Sequence, residues 1–250
     1  HVPNLPGTGI IYVLTKRDAE QVSQWLQQNG IDAHPYYSGV TTPDAEGSDA
    51  YREQLESMLY DNRIKALVAT TALGLGYDKP DLGFVIHYQA PGSIVGYYQQ
   101  VGRAGRGIGN AIGVLLSGRE DDDIHEFFRS SAFPDEAHVF SILDALAESD
   151  GLTTRAIENS VNLKMGQIDK ALKFLSVDNP APVVKEGSTW MRTPVPYRMD
   201  YERIEHLTGQ REQEWQEVQD YIDTADCKML FLARTLDDPQ PRACGRCTSC

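Results

Sequence analysis

Ile64-Lys65-Ala66-Leu67-Val68-Ala69-Thr70-Thr71-Ala72-Leu73-Gly74-Leu75-Gly76-Tyr77-Asp78-Lys79-Pro80-Asp81 is the stretch that decides the fold. Its first seven residues form a short apolar run without alternation, the mark of a strand buried on both faces. Small residues and glycines follow, which let a backbone approach a ligand or a phosphate closely. Asp78 and Lys79 stand where a loop at the end of a strand presents them, and sites in open α/β sheets lie at such ends. Taken alone, the loop is also compatible with an ordinary strand-to-helix turn. Outward from it, Thr8 to Leu14, His34 to Val40, Leu82 to His87 and Ala111 to Leu116 read as further strands. Between them, a helix starts near Thr15 with Ala19, Val22, Trp25 and Leu26 on one face, and another carries Leu55, Met58 and Leu59. Strands alternating with helices predict an α/β fold with a parallel sheet covered on both faces.

The 250 residues suit one large or two modest domains, and 41% hydrophobic residues suffice for ordinary cores. No apolar run reaches the roughly eighteen residues of a membrane span, and no secretion signal is visible. His1 and Cys250 read as the ends of a piece cut from a longer chain. A net charge of −13 argues against an indiscriminate nucleic-acid binder. Residues 151–200, however, carry seven Lys/Arg against five acids, so a local basic face is expected there.

Tyr97-Tyr-Gln-Gln-Val-Gly-Arg-Ala-Gly-Arg106 places two arginines three residues apart, each preceded by glycine, behind Gln99 and Gln100. An arginine fork binds two oxygens and keeps its charge, which suits a phosphoryl group in transfer. Delivered across a domain interface, it stabilises charge on a γ-phosphate. Solvated surface arginines are the plain alternative, less suited to a framed pair. Two lookalikes fail. Gly105-Arg-Gly-Ile-Gly109 lacks the full dinucleotide-loop spacing and has no strand leading into it. Asp135-Glu-Ala-His138 spells a Walker B-like box, but it follows Phe133-Pro134 instead of an apolar strand, and reads as an acidic helix start capped by Asp135. No G-x-x-x-x-G-K-[ST] phosphate loop occurs, so the ATP cradle is expected upstream of His1.

Beyond Arg119 the pattern changes. Residues 120–150 are helical and acidic, 152–162 and 163–175 read as two short helices, and 182–193 as a hairpin about Glu186-Gly187. Helix, turn, helix, hairpin is the order of a winged helix. Lys164, Gln167, Lys170 and Lys173 on its second helix, with Lys185, Trp190 and Arg192 on the wing, are candidate DNA contacts. Trp190 is a candidate base-stacking residue. The alternative is a module that only packs, with Trp190 and Phe174 in its core. All four cysteines lie in the last 24 residues, with Cys227 seventeen before Cys244 and two CxxC steps through Cys247 to Cys250. Four sulfurs favour a closed structural Zn²⁺ site. An iron–sulfur cluster and disulfides remain as lesser alternatives.

Leu67 to Asp81 followed by Phe84-Val-Ile-His87 resembles motif V of the RecQ family of superfamily 2 DNA helicases. Ser93 to Arg106 resembles its motif VI, Gly9-Ile-Ile-Tyr12 its motif IV, and Tyr36-Tyr-Ser-Gly39 the tyrosine motif that follows. The cysteine spacing matches the family's zinc subdomain. The resemblance implies a RecA-like second motor domain over 1–120, a helical linker and winged-helix module over 121–199, and a helical zinc subdomain over 200–250. It implies an ATP-dependent 3′–5′ DNA helicase with Arg106 as the arginine finger and Arg103 as its partner. Asp78, Gln100 and Gly76 would meet ATP and Mg²⁺, with the missing first motor domain. Thr70, Thr71 and Lys79 would meet DNA at a single-strand/duplex junction. Cys227, Cys244, Cys247 and Cys250 would hold zinc. The implied setting is the cytoplasm, at the nucleoid and away from membranes, in DNA repair and recombination. Two departures stand out. Gly107 replaces the family's usual Asp, and the winged helix precedes the cysteines, which suggests a divergent bacterial branch. An RNA helicase of the same superfamily, and a DNA- or protein-binding module with a degenerate motor, are the alternative functions.

Overall fold

The computed structural model describes residues 2–43, 45–73 and 76–250. Gly74 and Leu75, inside the stretch that opened the reading, lie outside the described residues. Two compact units form, one of residues 1–123 with 213–250 and one of residues 124–212.

In the first unit, five parallel strands make one sheet in the order β2-β3-β1-β4-β5: β1 (Thr8–Tyr12), β2 (Ala33–Tyr36), β3 (Ala66–Ala69), β4 (Leu82–His87) and β5 (Ile112–Leu115). Each central strand serves two cores because successive side chains point to opposite faces. Ile10 and Tyr12 of β1, Leu67 of β3 and Val85 of β4 pack with Leu55 and Leu59 of α2 (Ser48–Tyr60). Ile11, Val68, Phe84 and Ile86 pack with Ala19 and Leu26 of α1 (Lys16–Gln28). That two-sided burial is why these strands read as unbroken apolar runs. Trp25 departs from the expected inward face of α1, being 60% exposed. The N-cap of α1 is Thr15, whose hydroxyl accepts from the Asp18 amide.

The C-terminal segments return to this sheet. Ile94 and Tyr97 of α3 (Ile94–Val101) pack with Trp215, Val218 and Tyr221 of α8 (Tyr201–Asp223) and Leu232 of α9 (Lys228–Thr235). Asp122, in α4 (Glu120–Ser130), accepts from the Trp215 indole at 3.0 Å and the Gln219 amide at 2.6 Å.

The second unit has the winged-helix order. α5 (Glu136–Ala147), β6 (Leu152–Thr153), α6 (Thr154–Ser160), α7 (Met165–Ser176), β7 (Val183–Glu186) and β8 (Thr189–Arg192) follow one another, and the strands form an antiparallel sheet β6-β8-β7. Ile168, Ala171, Leu172 and Leu175 form the apolar stripe of α7, facing Ile142, Leu146 and Ile157. Asp135 caps α5 by accepting from the Ala137 amide at 2.8 Å. Among the described residues, no helix is long and apolar enough to cross a membrane.

Candidate functional site

The arginine pair follows α3, whose N-terminus is capped by Ser93 accepting from the Gly96 amide. The helix ends at Gly102, and the chain turns through Ala104 and Gly105. The turn is tied to the loop after β3 rather than left to solvent. The Gly105 amide donates to the Leu82 carbonyl at 3.0 Å and the Gly107 amide to the Pro80 carbonyl at 2.7 Å. Arg103 is buried, and its guanidinium donates to the Tyr77 carbonyl at 2.8 Å. Burial raises the Tyr12 phenol, and the Arg103 guanidinium beside it pulls the phenol back down. Arg106 is exposed. It donates to the Gly102 carbonyl at 3.2 Å and pairs with Asp78 at 3.0 Å.

These residues share a cleft of about 350 Å³ lined by Gly76, Tyr77, Asp78, Tyr98, Gln99, Gly102, Arg103 and Arg106. Gly76 has a left-handed φ of +110°, a backbone region that favours glycine. Two guanidinium groups and a carboxylate around an open cleft suit a polyphosphate with a hydroxyl-bearing sugar. Gly107, the departure from the family pattern, has a steric counterpart: a Cβ there would stand 2.8 Å from the Pro80 Cβ. Any side chain at 107 therefore requires the two loops to part.

Gln100 is a correction. Its side chain turns away from the cleft, with its Oε1 2.8 Å from His87 Nε2, and Gln99 faces the cleft in its place. The Gln100 side chain is engaged instead by His87 of β4. His87 is buried between Tyr12 and Tyr97, and burial pushes its imidazole down to about 4, against a smaller upward pull from Gln100.

Lys79 is a second correction. Its side chain is fully buried, and its ammonium donates to the Asp81 carboxylate at 2.6 Å and the Tyr60 carbonyl at 3.0 Å. A spent, buried ammonium offers nothing to a DNA phosphate. Thr70 is half-buried, its hydroxyl accepting from the Ala72 amide at 3.3 Å, while Thr71 is exposed.

In the second unit, Lys164, Lys173 and Lys185 are exposed. Lys170 is corrected, because its ammonium donates to the Ser131 carbonyl and is partly buried. Trp190 is corrected as well. It is 8% exposed and belongs to the core, with Lys185 over its ring at 5.4 Å. Arg192 is half-buried and donates to the Pro182 carbonyl at 2.6 Å.

The sulfurs of Cys227, Cys244, Cys247 and Cys250 all lie within 4.8 Å of one another. Cys227 and Cys244 are 3.5 Å apart, Cys247 and Cys250 3.5 Å, and Cys227 and Cys247 3.9 Å. A tetrahedron with Zn–S bonds of about 2.3 Å has edges of about 3.8 Å, so the four thiols fit one such ion. Amides of Lys228, Cys244, Arg246 and Cys247 donate to these sulfurs, the interaction that favours thiolate. The Cys244 amide is the main cause lowering the Cys227 thiol. None of the four cysteines is in a disulfide. Lys228 ties the cluster to the end of α8. Its amide donates to Cys247, and its ammonium to the carbonyls of Tyr221, Ile222 and Thr224 that end α8. The Tyr221 hydroxyl in turn donates to the Tyr97 hydroxyl of α3 at 3.2 Å. Gln99 was named in sequence only as framing the arginines, and Tyr221 and Asp122 were missed because their partners lie far along the chain.

A parallel sheet whose last loops present a framed arginine pair is similar in plan to the second motor domain of a helicase. Residues 4–107 match the family model of the helicase conserved C-terminal domain. The chain is 29% identical, over 99% of its length, to the ATP-dependent DNA helicase RecQ of Synechocystis sp. strain PCC 6803, and spans 50% of that protein. It is 41% identical over 102 residues to the RecQ-like DNA helicase blm-1 of Caenorhabditis elegans, covering 40% of this chain and 10% of that one. It is also 41% identical over 99 residues to the ATP-dependent helicase SGS1 of Saccharomyces cerevisiae, covering 40% of this chain and 6% of that one. Residues 4–107 thus match a helicase conserved C-terminal domain, and the chain is similar to C-terminal portions of RecQ-family DNA helicases. It spans half or less of the length of these relatives.

Proposed function

We propose that the full-length protein is an ATP-driven 3′–5′ DNA-unwinding enzyme of repair and recombination, and that this chain supplies the arginines that complete its ATP site. The observation that carries the reading is the placing of Arg103 and Arg106 with Asp78 around one cleft. Bound ATP and Mg²⁺ supply the phosphoryl chemistry. Arg106, exposed and bound to Asp78 and the Gly102 carbonyl, swings onto the γ-phosphate when the two motor domains close. There its fork stabilises the charge that develops in transfer. Arg103, fixed on Tyr77, holds its charge nearby. Gly76 and Asp78 lie against the nucleotide. Domain closure moves the loop that carries Thr70 and Thr71 along a DNA strand, coupling hydrolysis to translocation.

Cys227, Cys244, Cys247 and Cys250 hold a structural zinc ion, for which their separations are the support. Lys164, Lys173 and Lys185 contact DNA phosphates near the junction. The DNA-helicase relatives favour DNA over RNA as substrate. This chain has no phosphate-loop sequence, so ATP turnover needs the other motor domain. ATP hydrolysis by the full-length protein with single-stranded DNA tests the reading. It requires DNA-stimulated turnover that collapses in Arg106→Ala.

A further inference from the structure

The loop of residues 77–82 holds the arginine segment at four points. The Tyr77 carbonyl accepts from Arg103 at 2.8 Å, Asp78 from Arg106 at 3.0 Å, Pro80 from the Gly107 amide at 2.7 Å, and Leu82 from the Gly105 amide at 3.0 Å. Lys79 lies at the centre of that loop, and its side chain is 0% exposed. Its ammonium is bound by Asp81 and by the carbonyl of Tyr60, the last residue of α2, and sits 5.7 Å from the Tyr60 ring centre. Asp81 also accepts from the Asn62 amide at 3.0 Å, and Asn62 accepts from the Thr8 hydroxyl at 3.0 Å. The loop is thus pinned to the end of α2, the turn before β3 and the start of β1. A buried ammonium is costly to leave unpaired. Any other course of this loop would strand it.

We propose that Lys79 is a positioning residue for the arginine pair: the pairing of its buried ammonium with Asp81 fixes the 77–82 loop, and that loop sets where Arg103 and Arg106 point. The role rests on the reading of Arg103 and Arg106 given above. Lys79 acts from inside the domain and touches neither nucleotide nor DNA.

The test uses the full-length protein and variants Lys79→Met, Asp81→Ala, Asp81→Asn and Arg106→Ala. ATP turnover is measured at saturating single-stranded DNA, and DNA affinity by fluorescence anisotropy across salt concentrations. Misplacement of reacting groups by about 1 Å costs on the order of 100-fold. Lys79→Met and Asp81→Ala are accordingly expected to lower kcat about 10- to 100-fold, with DNA affinity and its salt dependence unchanged. Asp81→Ala should be at least as severe, because it leaves the buried ammonium without its carboxylate and with the Tyr60 carbonyl still bound, whereas Lys79→Met leaves an exposed, hydrated carboxylate. Asp81→Asn keeps an oxygen acceptor and should recover most of the turnover. If Lys79→Met does not fold, the contrast between Asp81→Ala and Asp81→Asn decides the matter. A DNA-contact role gives the opposite pattern: Lys79→Met weakens DNA binding at intact kcat, and Asp81→Ala tightens it. That pattern overturns the proposal. Full activity in Arg106→Ala sinks the arginine reading itself. An inactive Arg106→Ala beside wild-type kcat in the Lys79 and Asp81 variants sinks the positioning role alone.

Discussion

The Arg106 guanidinium lies 3.0 Å from the Asp78 carboxylate, and both side chains are about half exposed. An exposed pair of this kind contributes about 0–1 kcal/mol. It holds the arginine near the cleft without locking it there. Asp78→Asn should therefore leave the unfolding free energy within about 1 kcal/mol of wild type, as measured by denaturant titration. A larger loss would mean that the pair braces the fold rather than holding a movable arginine.

His87 makes the sheet unit sensitive to acid. Its imidazole is lowered from 6.5 to about 4 by burial. Above pH 6.5 it is neutral in the folded and unfolded chains alike. As pH falls from 6.5 to 4, the unfolded imidazole takes up a proton while the folded one resists. Stability therefore falls with pH across that window, by up to about 3 kcal/mol. His87→Gln should flatten this part of the profile in denaturant titrations between pH 7 and pH 4.5. An unchanged slope in the variant would assign the acid sensitivity to other groups.

Trp190 tests the core of the second unit. Trp190→Ala should destabilise its unit by about 3–5 kcal/mol. Trp190→Phe should keep both the fold and the DNA affinity. Weakened DNA binding in a stably folded Trp190→Phe would return the residue to the DNA surface.

The cysteine cluster predicts one zinc per chain by atomic emission, with no visible absorption. Cys247→Ser should release the metal and lower the thermal midpoint, since the cluster is tied through Lys228 to the end of α8. A brown protein containing iron, or one with no metal, would contradict the zinc assignment.

Much of the fold was legible because its signals are local. β1, β3 and β4 are buried on both faces, so their apolar runs are unbroken. The cap at Asp135 and the hairpin at Glu186-Gly187 also depend on near neighbours. β6 was not legible, since two residues carry no period. The return of α8 to the sheet unit depends on contacts such as Trp215 with Asp122, 93 residues apart. Lys79, Lys170 and Trp190 went astray for one reason: residue type suggests a DNA contact, but burial decides it. Among the motif residues, Arg103, Arg106, Asp78 and Gly76 come together at one cleft. Gln100 was not legible as a core residue because its partner, His87, lies on another element.

The most direct test of the central claim is ATP turnover by the full-length protein, saturated with single-stranded DNA, with and without Arg106→Ala. Loss of one preorganised charge at a transition state costs on the order of 100- to 1,000-fold or more in kcat. A fall of that size, with DNA binding retained, is the predicted result. Turnover at the wild-type rate in Arg106→Ala would contradict the account.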